Sequence, residues 1–223
     1  MEDIIGNIHS QATVLQMSGY YKESLEVYDK KYQFIRNSQP SQEVMDRHTI
    51  ELGDVFMMNE DFKKAEEQYL SCRNGKHQLI VLSRLAELYI KTKDDKKLEK
   101  IINEIEKNSE KFKALKSADS FKAQNYMGIE LMKKGKYRDA NKLYKQLIQD
   151  AAKFYDYKYE GIPLVHDIFR NRAECEKNLN NFQEALGLLD STKSWQKVCE
   201  GSRSANLLIT ENMIRSIHVS RGS

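Results

Sequence analysis

An all-α fold of repeated helical hairpins is predicted by three observations. Breakers are scarce: 223 residues hold only 2 Pro and 10 Gly, with 40% hydrophobic and 31% charged residues, a composition that favours long helices over disorder. A small residue recurs five times, each time followed twelve positions later by the key residue of a second helix. Turn signals punctuate each copy between those two positions. At this length the chain makes one large domain or two small ones, with enough core to need neither disulfides nor metals.

The five copies run in order along the chain. Ala12, Leu15, Gly19, Tyr21, Ser24 and Tyr28 form the first. Gly53, Phe56, Phe62, Ala65 and Tyr69 form the second, and Ala86, Tyr89, Leu98 and Ile102 the third. Gly128, Leu131, Tyr137, Ala140 and Tyr144 form the fourth, and Ala173, Phe182, Ala185 and Leu189 the fifth. Twelve residues span the rest of one helix, a tight turn and the first turn of the next. Gly or Ala at the crossing lets the two backbones approach to about 8 Å, and the aromatics beside the turn bury large areas. The turns are expected at Ser18-Gly19, Asn59-Glu60-Asp61, Lys93-Asp94-Asp95, Lys134-Gly135 and Asn178 to Asn181.

This pattern resembles the tetratricopeptide repeat (TPR) family, whose units carry L-G-x-x-Y in one helix and A-x-x-x-F in the next. Leu52-Gly53 with Phe56 and Ala65 with Tyr69 match it well, as do Gly128 and Ala140 with Tyr144; the other three copies are degenerate. The resemblance covers about residues 4–195. It implies a right-handed superhelical solenoid of about five hairpins, with units near 4–36, 42–74, 78–108, 117–156 and 162–195 in an array over residues 1–199. The proline that closes a typical unit is absent: Arg36, His77, Glu110, Ala152 and Lys197 stand there. Key residues lie 41, 33, 42 and 45 positions apart. The chain therefore reads as a long-helix variant with second helices that run past the usual stop, its subfamily unassigned. Such versions occur in kinesin light chains, peptide-responsive bacterial regulators and Tonsoku-like scaffolds.

Between the repeats, 91–116 reads as an amphipathic helix carrying Leu98, Ile101, Ile102 and Ile105, then a mobile connector near 108–116. Gly161-Ile162-Pro163 is a breaker, with Pro163 suited to the first turn of a helix. Residues 200–217 are expected to form a capping helix or half a repeat, and 218–223 a disordered tail.

Chemistry is sparse. Gly75-Lys76 and Gly135-Lys136 lack the rest of a phosphate loop, and no H-E-x-x-H, C-x-x-C or G-x-S-x-G occurs. His9, His48, His77, His166 and His218 are scattered, so no metal and no cofactor is expected. Cys72, Cys175 and Cys199 make no disulfide framework; Cys72 is expected to be a buried small hydrophobe, and Trp195 a packing residue. The longest apolar runs are too short to span a bilayer, and the acidic start is unlike a secretory signal. An intracellular, cytoplasmic protein is expected, the nucleus being open as well, and an enzyme is not.

In TPR arrays the first helices line a groove that receives a peptide or helix. By the resemblance, the groove residues here are His9, Thr13 and Met17; Ile50, Asp54, Met57 and Met58; Ser83, Glu87 and Ile90; Lys122, Asn125, Ile129 and Met132; Arg170, Glu174 and Asn178. Chaperone-binding relatives grip an acidic tail with Lys and Asn. Where their asparagine would stand, this chain has Thr13, Asp54, Glu87, Ile129 and Glu174, and three carboxylates would repel such a tail. The core candidates are Met17, Asp54, Met57, Met58, Glu87, Ile129, Met132 and Glu174, whose acids and adaptable methionines fit an apolar, partly basic peptide or helix.

Charge is uneven: residues 1–60 hold 5 Lys+Arg and 10 Asp+Glu, and residues 91–145 hold 16 and 9. The basic middle lacks interleaved aromatics and reads as a solvated helix face, so nucleic acid is not the expected partner. The expected function is a protein–protein interaction adaptor or scaffold that could sit in a larger complex. The alternative is a regulator that closes on a short signalling peptide; the attached effector domain it would need is not visible.

Overall fold

The computed structural model describes residues 10–12, 14–15, 18–115, 117–155, 162–201 and 204–222. All regular structure among them is helical. The chain divides into two compact units, Met1–Glu104 and Ile105–Ser223.

In the first unit, helical residues 10–12 and 14–15 precede α1 (Tyr21–Asn37), and α2 (Gln42–Met58) is followed by α3 (Phe62–Ser71). Then come α4 (Gln78–Thr92) and α5 (Asp95–Lys107), the last crossing the unit boundary. Neighbouring helices pack in order from α1 to α4, and α2 also touches α4. First helices therefore stack on first helices, as a solenoid requires. Local signals set the starts: the Ser41 side chain accepts from the Val44 N–H, Asp61 from Lys64, and Asp94 from Lys97.

The second unit opens with α6 (Ser109–Leu115) and continues with α7 (Ala118–Lys133), α8 (Tyr137–Phe154), α9 (Pro163–Asn178), α10 (Phe182–Cys199) and α11 (Ala205–Gly222). Pro163 occupies the first turn of α9, where its missing N–H costs nothing; Gly161 lies outside the described residues. Again α7 packs on α8, α8 on α9, and α7 on α9. The core runs from Phe121 through Tyr144, Leu147, Ile168 and Leu189 to Ile217, and Trp195 packs edge-on against Phe169 with 4.9 Å between centroids.

The five copies share one turn. The residue seven after each small residue has positive φ: Gly19 (81°), Glu60 (60°), Lys93 (56°), Gly135 (71°) and Asn180 (63°). The next residue then donates back to a carbonyl five positions earlier. These pairs are Tyr20 to Leu15, Asp61 to Phe56, Asp94 to Tyr89, Lys136 to Leu131 and Asn181 to Glu176, all at 2.8–3.0 Å. This is the bond that closes a Schellman turn. All ten small and key residues are buried, and in the first copy the two meet directly, Ser24 Oγ donating to the Ala12 carbonyl at 3.0 Å.

Helix lengths depart from the sequence expectation in three places. The second helices α1, α8 and α10 span 17, 18 and 18 residues, but α3 has only 10. It belongs to the shortest spacing, and its chain leaves at Cys72 into a loop where Gly75 abuts the buried Asp46 carboxylate. The 42-residue spacing is filled differently: the expected connector after Asn108 forms α6, so an extra short helix replaces a longer second one. Finally, α11 continues to Gly222 through most of the expected tail, with Ile217 buried and Ser220 Oγ bonded to the Ser216 carbonyl.

Candidate interaction face of the first helices

Two of the small residues create close slots for tyrosines. A Cβ on Gly53 would stand 2.5 Å from Tyr69 Cε1, and one on Gly128 would stand 2.4 Å from Tyr144 Cζ. Both tyrosines lie sixteen residues after their glycine and are wholly buried. Each hydroxyl reaches through the crossing to the first helix. Tyr69 donates to Asp54 Oδ1 at 2.7 Å, and Tyr144 donates to the Asn125 carbonyl at 3.3 Å. Burial pushes both phenols well above their ordinary range, and the Asp54 carboxylate adds to the effect at Tyr69.

The next first helix joins the same two points. Arg84 Nε donates to Asp54 Oδ1 at 2.8 Å, and Asn171 Nδ2 donates to Asn125 Oδ1 at 2.9 Å. Arg84 and Asn171 each stand two positions before the small residue of their own hairpin. One arrangement thus occurs in both units: a buried tyrosine and the following first helix converge on one polar residue.

The candidate groove residues divide between the units. Met17, like His9 and Thr13, lies outside the described residues. In the first unit, Ile50, Met57 and Ser83 are buried, Glu87 and Ile90 are half-buried, and Met58 is 47% exposed. The Asp54 side chain is 28% exposed, and both of its bonds fall on Oδ1, leaving Oδ2 open. Met58 follows Asp54 by one helical turn on the same face. It also lines an open hollow with the exposed Tyr20 and Tyr21, beside Lys22, Asn59 and Glu60.

In the second unit Asn125 is buried, Lys122 and Ile129 are half-buried, and Met132 packs against the core. Arg170 is buried, its guanidinium donating to Asp167 and to the Asn206 carbonyl. Glu174 is tied within α9 to Lys177 at 2.8 Å and to the exposed Asn178 at 3.0 Å. Asp54 and Met58 are therefore brought together, whereas Ile129, Met132 and Glu174 form no comparable exposed group. Tyr69, Arg84 and Asn171 were not among the expected site residues. Their signal was positional, at plus sixteen and minus two from a small residue.

Among the described residues, no group of three or more His, Cys, Asp or Glu could hold a metal, and no helix is long and apolar enough to cross a membrane. Burial pushes the Cys72 thiol up to about 11 and the Cys175 thiol up to about 12, which makes both poor nucleophiles.

No protein-family model and no curated protein sequence matches the chain. Several solved structures do. BtubC (BKLC) from P. vanneervenii is similar at TM-score 0.70 and 14% identity, over 91% of this chain and 84% of that one. The nearly identical TPR-like repeats of a protein described as a Podosopora anserina kinesin light chain give 0.59 and 16%, over 92% and 99%. RapI in its apo form gives 0.56 and 11%, over 98% and 72%. The chain has the all-α, TPR-like helical-repeat fold of these structures.

Proposed function

We propose that the chain is a non-enzymatic protein–protein interaction module, an adaptor that takes a peptide or helix of a partner protein on its first helices. The observation that carries this reading is the surface at the turn end of the first two hairpins. There Met58, Tyr20 and Tyr21 are exposed together around one hollow, and Asp54 Oδ2 stays open one turn back along α2. Aromatic and methionine side chains offer adaptable apolar contact, and the carboxylate oxygen selects a cation or an N–H donor. The matching ligand is amphipathic and partly basic. Repeat folds supply such surfaces without supplying a reaction.

Calorimetric titration with a Lys/Leu amphipathic helical peptide tests the reading. Asp54→Lys would also break the Tyr69 and Arg84 bonds, so Asp54→Asn is the informative change, because it keeps an acceptor at Oδ1 and removes the charge. Combined with Met58→Lys, which removes the apolar contact and repels a basic ligand, it should weaken binding by about fivefold or more. Equal affinities for wild type and the double variant would refute the proposal.

A further inference from the structure

The outer face of α8 carries a line of cations interrupted once. Arg138, Lys142, Lys145 and Lys153 are all exposed and follow one another at steps of 4, 3 and 8, with exposed Gln149 filling the gap. Steps of 4, 3, 4 and 4 keep side chains on one helical stripe. At 1.5 Å per residue the line is about 22 Å long. Exposed Lys136, at the N-cap, extends it past the helix start.

Among the described residues these charges are largely left without partners. Arg138, Lys142 and Lys153 have no hydrogen-bond or ion-pair partner among the described residues. Lys145 reaches Glu176 only at 3.8 Å, and Glu176 is already held by Asn141 and Asn181 at 2.9 and 2.8 Å. Asp139 and Asp150 are the only acids on the helix, and Asp150 accepts from Gln146. Like charges at i,i+4 oppose helix formation, and cations at a helix start oppose the dipole. The N-terminal half of the stripe thus works against α8 in isolation, whereas Lys153 sits in the last turn, where the dipole favours it. Nor does the repeat require the stripe: the aligned positions of α10 are Gln183, Gly187, Asp190, Ser194 and Val198. On α5, Lys96, Lys100 and Lys107 take the same register but are interleaved with Glu99 and Glu106.

We propose that the α8 stripe is a second docking surface, for an acidic helix of a partner protein. The 4-3-4 spacing is that of one side of a heptad, so glutamates spaced alike on a partner helix meet every cation, with Gln149 as a neutral hydrogen-bonding step. A single straight line of mostly lysines, with the exposed Phe154 at its end engaged edge-on by Phe121 and Tyr155, offers no row of stacking platforms for bases. This surface is on α8 and the peptide surface is on α2, so either can fail alone.

The test uses the whole chain and fluorescence anisotropy with a labelled helical peptide of roughly 20 residues, bearing Glu at the 4-3-4-4 spacing. Controls are a peptide of the same composition with its glutamates spread around the helix, a single-stranded oligonucleotide, and vesicles containing anionic lipid. The patterned peptide should bind about tenfold tighter than the spread one, and lose about tenfold in the Arg138→Glu/Lys142→Glu/Lys153→Glu variant. Those side chains are exposed and have no partner among the described residues, so circular dichroism and thermal melting should stay close to wild type. Equal binding of the two peptides, an unaffected triple variant, or tighter binding to the oligonucleotide or vesicles would each overturn the proposal.

Discussion

Replacing Gly128 with alanine isolates the packing idea on which the repeat rests. Alanine is the better helix former, by about 1 kcal/mol, so on propensity alone the change should stabilise α7. The structure reverses the sign. The new methyl would lie 2.4 Å from Tyr144 Cζ and 2.5 Å from its hydroxyl oxygen, and the ring is wholly buried with its hydroxyl bonded to the Asn125 carbonyl. Overpacking costs about 1–3 kcal/mol, and displacing the ring forfeits a hydrogen bond of about 1 kcal/mol. The net loss should be about 1–3 kcal/mol. Gly187, in the middle of α10, is the internal control: a Cβ there meets nothing within 4 Å, so Gly187→Ala should gain about 0.5–1 kcal/mol. Trp195, the single tryptophan, packs in the core of the same unit and reports its unfolding in urea. With a slope of about 1–3 kcal/mol/M, the two alanine variants should differ by about 0.5 M or more in midpoint, on opposite sides of wild type. In a Tyr144→Leu background the Gly128→Ala penalty should largely vanish. A Gly128→Ala midpoint at or above wild type would refute the slot.

Two further outcomes follow from the same geometry. Burial pushes the Glu51 carboxyl up, but its bonds to His48 and Lys31 outweigh this and hold it down at about 2. A depressed carboxyl stabilises the fold above its unfolded value and loses that contribution as pH falls. The first unit should therefore lose about 1–2 kcal/mol between roughly pH 5 and pH 2, and Glu51→Gln should flatten that slope in acid melts followed by circular dichroism. Among thiols, Cys199 is exposed while Cys72 and Cys175 are buried. Native alkylation followed by mass spectrometry should modify Cys199 first, with the other two reacting only after denaturation; rapid labelling of Cys72 would contradict the packing.

The hairpins were legible because their determinants are local. A small residue, a turn and a key residue within a dozen positions place both helices, and the positive-φ residue falls seven after the small one every time. Helix ends were less legible, since Cys72, Asn108 and His218 carry no breaker, and their fate depends on what the following residues pack against. The candidate site was legible only as residue types on a face. Asp54 and Glu174 are both acids on first helices, yet one keeps an open oxygen while the other is tied to Lys177 and Asn178. Asp54 is decided by Tyr69 and Arg84, fifteen and thirty residues away, and such partners have no local signature.

The repeated convergence on Asp54 and Asn125 also limits how a ligand could act on this fold. Each point joins both helices of one hairpin to the first helix of the next, through a tyrosine whose slot admits no side chain on the facing glycine. A ligand that captured Asp54 Oδ1 would have to displace two protein bonds, one of them from a buried hydroxyl left without a partner, a loss of about 1–3 kcal/mol. Binding through Oδ2 and the exposed Met58 avoids that loss. A partner should therefore dock on this face with the hairpin packing intact, as expected of an adaptor. A peptide-driven closure that re-packed α2 against α4 would have to break the Asp54–Arg84 pair first.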